Sequence, residues 1–151
     1  MIFVILLSAS IASAEVPSGD EAGTSSPWAE FSRSVARRGP PATGAIGTLI
    51  VNPDGTIVYW AKRGDKISNS TRCPVISSVA EGIRSLHLPA LSPKTDNIIV
   101  GDGTTYRLTV ELQIDGDKVD IITSGSGHVG SWIDAALSKL ETCWPKINRF
   151  E

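Results

Sequence analysis

"TTYRLTVELQIDGDKVDIITS", Thr104 to Ser124, decides the fold class of this chain. Tyr106, Leu108, Val110, Leu112 and Ile114 alternate with Thr105, Arg107, Thr109, Glu111 and Gln113. Period two sends one set to a buried face and the other to a wet one. Sheets with one wet face are antiparallel, because parallel strands are covered on both sides and read as unbroken apolar runs. Asp115-Gly116-Asp117 supplies a turn, and Lys118 to Thr123 returns as the partner strand. Asn97 to Val100 is expected to add a short strand before the Gly101-Asp102-Gly103 turn.

Upstream, "GAIGTLIV", "NPDG" and "TIVYWAKR" read as a second hairpin, with strands over 45–51 and 56–62. Pro53 sets an early φ and Gly55 accepts a positive one. Tyr59 and Trp60 are adjacent on a strand, so they point to opposite faces, and Trp60 is a candidate contact residue. The polar "GDKISNS" (64–70) is expected to be a loop. Val75, Ile76, Val79, Ala80, Ile83 and Leu86 then recur at helical spacing, which predicts a helix over 73–87, weakened by Gly82 and ended by Pro89. His87 falls at its negative dipole end.

Two further helices are expected. "SPWAEFSRSVARRGPP" offers Ser26 as a cap, Pro27 at the first position, and a stripe of Trp28, Phe31 and Val35. Arg37 and Arg38 suit a last turn, and Gly39 followed by Pro40-Pro41 ends it. "SWIDAALSKLETCW" offers Ser131 with Asp134 as a capping box and a stripe of Trp132, Ile133, Ala136, Leu137 and Leu140. Trp144 follows as a lid or contact residue. The order is α-ββ-α-βββ-α. It predicts an α+β domain, a four- to five-stranded, mainly antiparallel sheet with helices on one face.

"GSGHVG", Gly125 to Gly130, matches the dinucleotide fingerprint G-x-G-x-x-G. That fingerprint works within a βαβ unit, with a second parallel strand and an acidic residue about 20 positions on. Here one helix and a tail complete the chain, so no nucleotide is expected at 125–130. His128 remains a candidate contact residue. It is also the one residue on which a small exported hydrolase could turn, although no G-x-S-x-G elbow accompanies it.

The chain opens "MIFVILLSASIASAEVP", an apolar run at Ile2 to Leu7 followed by small residues. Such a run is too short to span a bilayer, which takes about 20 residues. It reads as a signal peptide over 1–14, cut after Ala14, with no membrane anchor once removed. Residues 15–25 are small, polar and acidic and read as a flexible lead, and 26–151 as one domain. Cys73 and Cys143 are the chain's two cysteines. In an exported protein two cysteines pair, closing a loop of about 70 residues. With two Cys and two His at unsuitable spacings, no metal site and no cofactor are expected. A net charge of −2 lacks the basic footprint of nucleic-acid binding.

Together these readings predict a periplasmic or secreted non-enzymatic module with no catalytic set, binding or inhibiting a protein partner. A second possibility is docking through the Trp28/Phe31/Val35 helix. Two stretches, "DGTTYRL" and "WIDAALSKL", resemble small exported protease inhibitors of the emfourin type, whose plan is similar to ββα-ββα. That resemblance implies inhibition of a protease. The cysteines and the N-terminal helix depart from it, and no functional residue carries over.

Overall fold

The computed structural model describes residues 26–36, 38–86, 103–112, 116–125 and 127–144. Six strands form one antiparallel sheet: β1 (Ala29–Val35), β2 (Ala42–Val51), β3 (Ile57–Arg63), β4 (Lys66–Asn69), β5 (Thr104–Glu111) and β6 (Lys118–Ser124). Their spatial order is β4-β3-β2-β1-β5-β6. Two helices, α1 (Val75–Arg84) and α2 (His128–Leu140), pack on each other and on the sheet, and a 3-10 turn (Glu141–Cys143) follows α2. The α+β class is as expected, but the sheet is larger and its order differs.

Two corrections explain the difference. The segment predicted as an N-terminal helix is strand β1, and it lies at the sheet's centre. It pairs with β2 on one side (Phe31 opposite Gly44) and β5 on the other (Phe31 opposite Leu108). Ala29 and Phe31 are buried, with Glu30 exposed between them. Phe31 owes its place to Gly44, since a Cβ there would come within 2.5 Å of the phenyl ring. The predicted loop at 64–70 contains β4, an edge strand paired with β3. Its lone apolar residue, Ile67, gives no periodic signal. The expected strand at 97–100 and His87 lie outside the described residues.

The hairpins and helices fall where their patterns place them. In the β2–β3 turn, Asn52 donates to the Thr56 carbonyl and the Asp54 carboxylate accepts from the Thr56 amide. That bond holds the Asp54 carboxyl below its ordinary range. Gly55 has φ 84°. α1 buries Ile76, Val79, Ala80 and Ile83, the stripe that predicted it. At Gly82 the two helices approach so closely that a Cβ would sit 2.8 Å from the Trp132 indole nitrogen. Cys73 and Cys143 form a disulfide, with Cα atoms 5.4 Å apart. It ties the approach to α1 to the turn after α2.

The capping box expected of Ser131 and Asp134 does not form. α2 starts four residues earlier, with Gly127 rather than Ser131 as N-cap. Asp134 instead accepts from the Tyr106 hydroxyl (2.7 Å) and pairs with Arg33 (3.0 Å). The Tyr106 phenol is held above its ordinary value, first by that hydrogen bond and then by burial. At the other end of α2, Arg63 donates to the Leu137 carbonyl (2.8 Å) and pairs with Glu141. A cation suits a helix C-terminus, where carbonyls lack partners.

Candidate functional site: a groove on the helix-free face

Directly opposed residues of an antiparallel ladder share a face. Phe31, Tyr59 and Tyr106 point at the helices: Phe31 meets Trp132 edge-on at 5.3 Å, and Arg84 of α1 lies 5.5 Å over the Tyr59 ring. Their neighbours along each strand therefore point to the second face. Across it the register writes three rows. One runs Thr43, Ser32, Arg107, Ile122; the next Lys62, Ala45, Glu30, Thr109, Asp120; the third sets Asn69 beside Trp60 and Gly47, and further across Glu111 beside Lys118.

Apart from the exposed Glu30 of β1, the middle strands β1 and β2 contribute small side chains to these rows, while β3 and the β5–β6 hairpin contribute large ones. A groove of about 630 Å³ results, with Ser32, Thr43 and Ala45 on its floor, Trp60 and Lys62 on one bank, and Arg107 and Lys118 on the other. Its floor is two strands wide, about 10 Å. Pro27, where the chain enters β1, also lines it.

The two banks differ electrostatically. Arg107 is fixed by Asp120 through a two-toothed contact (2.9 Å from Nε and 2.5 Å from Nη2), and Thr109 donates to the same carboxylate at 3.0 Å. The Arg107 guanidinium keeps the Asp120 carboxyl below its usual range, and Asp120 in turn pushes the Arg107 value up. Lys62 and Lys118 make no ion pair with another described residue.

Trp60 is the unusual member. It is 2% exposed and Val58 7%, yet both lie on the face that neither helix touches, apart from the main core cluster. The indole lies flat on Gly47, where a Cβ would come within 2.6 Å of the ring. Its N–H has no hydrogen-bond partner among the described residues. The sequence placed one of Tyr59 and Trp60 on each face; it could not show that the outward one is buried.

The other candidate residues are dispersed. Phe31 is 2% exposed and faces the helices. Val35 is half-buried at the end of β1, opposite Thr104. Trp28 is half-buried, its ring 6.4 Å from that of Tyr59. The three thus form no exposed helical stripe. Trp144 is buried in the main core, 7% exposed. His128 is exposed at the first position of α2, and no hydrogen bond or ion pair joins it to another described residue.

"GSGHVG" has a structural reason for its glycines. Gly125 leaves β6 with φ 84°, and Gly127 caps α2. Gly130 lets α2 approach the sheet, since a Cβ there would lie 2.7 Å from the Gly125 carbonyl oxygen and 2.9 Å from the Tyr106 ring. The groove itself was missed by sequence reasoning. Its signal was faint: Thr43, Ala45 and Gly47 recur at alternate positions of β2, with Ser32 of β1 opposite Thr43. The chain matches no family model, no curated protein and no solved structure.

Proposed function

We propose that this chain is an exported, non-enzymatic module that binds or inhibits a protein partner through the groove on the helix-free face. One observation carries the reading. Glu30 apart, the centre of the sheet carries small side chains on this face (Ser32, Thr43, Ala45 and Gly47) between two banks of larger ones, leaving a channel about as wide as one extended peptide segment. Lys62 and Lys118 offer positive charge at its edges, Glu30 a negative charge on its floor, and Ser32 and Thr43 hydroxyls beside it. The disulfide suits an oxidising compartment outside the cytoplasm. Protease inhibition is the more specific form of this reading, drawn from the emfourin resemblance alone.

The test compares partners captured from the protein's own secretome by the unaltered chain and by Thr43→Arg and Lys62→Glu. Thr43 and Lys62 are both exposed, so neither substitution disturbs the core. Lys139→Glu, on the exposed side of α2, is the control. A partner lost with both groove variants and kept with Lys139→Glu supports the reading. A partner held equally by all four proteins sinks it.

A further inference from the structure

The sheet has two edges, β4 and β6, and they are built differently. An edge strand presents unpaired N–H and C=O groups to any other strand, and proteins blunt it by keeping it short or charged. β4 follows that rule: it is four residues long, opens with Lys66, and sets Lys66 beside Arg63 of β3. β6 does not. It runs seven residues, Lys118–Ser124, in continuous register with β5 and without a proline. Lys118 and Asp120 are its charged residues. Asp120 is engaged from the inner side by Arg107, and Ile121-Ile122-Thr123-Ser124 carries no charge. Ile122 is 61% exposed, on the helix-free face.

The ladder fixes which groups β6 turns outward. Leu112 donates to the Asp117 carbonyl at one end of the β5–β6 hairpin, and Gly125 to the Thr104 carbonyl at the other. Bonded and non-bonded positions alternate along an antiparallel pair. Val119, Ile121 and Thr123 therefore bond to β5, while Lys118, Asp120, Ile122 and Ser124 turn their N–H and C=O groups away from it. Among the described residues, nothing takes those groups up.

We infer that the partner of this edge is β6 of a second copy of the chain, paired antiparallel about a two-fold axis at Ile122. Self-complementarity selects both the occupant and the register. With Ile122 opposite Ile122 of the partner subunit, the exposed side chain is covered by its own kind. Asp120 then stands opposite Ser124 of the partner subunit, and the outward groups from Asp120 to Ser124 all meet complementary ones. Moving the axis to Ile121 sets Ile122 against a carboxylate. Moving it to Asp120 sets like charge on like charge, which destabilises a cross-strand pair. Main-chain hydrogen bonds supply the affinity, as in other strand additions. A two-fold contact closes on itself, so assembly stops at the dimer, and the short, charged β4 does not extend it. The two sheets join into one with both helix-free faces on the same side. The pairing does not depend on the groove being a binding site; where it is one, the dimer presents two grooves to a single partner.

The experiment uses the chain with the Cys73–Cys143 bridge oxidised. A strand pair this short falls at the weak end of protein interfaces, below about 1,200 Å², so a dissociation constant of about 0.1 mM is expected. Sedimentation should then find mainly monomer at about 10 μM and mainly dimer at about 1 mM. Over that range amide exchange, read by NMR, should slow several-fold at Asp120, Ile122 and Ser124, and change less at Val119, Ile121 and Thr123. Ile122→Pro removes an outward N–H and leaves the ladder with β5 whole, as an edge strand allows. Ile122→Lys keeps the backbone and sets two cations at the axis. Both should stay monomeric at the higher concentration with the circular dichroism of the parent, while Lys139→Glu, on the exposed side of α2, should still dimerise. The inference is overturned by a monomer at the higher concentration, or by a dimer that survives Ile122→Lys. It is overturned equally if Asp120, Ile122 and Ser124 are already protected in the monomer, because the chain then covers its own edge.

Discussion

Gly130→Ala separates packing from helix propensity, because the two predict opposite signs. Gly130 is the third residue of α2, φ there is ordinary, and helix propensity alone favours alanine by up to about 1 kcal/mol. The added methyl, however, would stand 2.7 Å from the Gly125 carbonyl oxygen, where ordinary contact begins at 3.4 Å. The oxygen belongs to backbone that already turns through φ 84° at Gly125, so it cannot swing aside as a flexible side chain would. The same methyl would press on the Tyr106 ring, whose hydroxyl is anchored to Asp134 at 2.7 Å. Overpacking of this kind costs about 1–3 kcal/mol. The expected net effect is a loss of about 1–2 kcal/mol, which lowers Tm by roughly 3–10 °C for a domain of this size. Urea unfolding followed by circular dichroism measures it, with an unchanged slope as the check on two-state behaviour. Gly127→Ala is the comparison: a Cβ there meets nothing within 4 Å, and its cost should stay below about 1 kcal/mol. A Gly130→Ala protein as stable as the parent, or more so, would refute the close approach of α2 to Tyr106.

Three further expectations follow from the same geometry. Tyr106 has its folded value raised above 10.0, so its contribution to stability is complete below that pH and fades as pH rises through the raised value. A phenolate absorbance titration should show late ionisation, and Asp134→Asn should bring it back towards 10.0. Asp120 is shifted the other way, so its pairing with Arg107 contributes above the ordinary 3.8 and is lost as pH falls through the lowered folded value. Carboxyl NMR should find it titrating low, and Arg107→Gln should raise it. Replacing Cys73 and Cys143 together by Ser should cost roughly 4 kcal/mol for a loop of this length, and a loss below about 1 kcal/mol would mean the bridge contributes little to the fold.

What the sequence made legible were local signals. The hairpins carry their own turn residues, α1 its 3.6-residue stripe, and the cysteines their pairing. β1 was misread because its pattern satisfies two periods. Trp28, Phe31 and Val35 fit a helix, while Ala29, Phe31, Arg33 and Val35 fit a strand face. Arg33 spoils the strand reading only if it needs solvent, and its partner Asp134 is 101 positions away. Gly39-Pro40-Pro41 stops either element. Tertiary demand settled the matter, since β2 and β5 each needed a neighbour and only β1 lies between them. Asp134 was misassigned for a related reason. A capping box is a local rule, and a phenol and a guanidinium from the sheet out-competed it.

The groove floor opposes the stability of the sheet, and that gives the last test. Central strands favour β-branched and aromatic side chains. On the second face, β1 and β2 instead carry Ser32, Ala45 and Gly47, residues of poor strand propensity at the positions where pairing is continuous on both sides. Gly47 has a packing reason, since Trp60 fills the space above it. Ala45 has none of that kind: it is half-exposed, between Glu30 and Lys62 in its row. Ala45→Val should therefore stabilise the fold by up to about 1 kcal/mol, the span of strand propensity in a host sheet. The same two methyl groups would raise the floor midway between the banks. If the groove is a contact surface, partner capture should weaken while Tm rises, the trade expected where a functional site is kept at the expense of stability. If Ala45→Val raises Tm and leaves capture unchanged, the small residues of β1 and β2 are not there to make room for a partner.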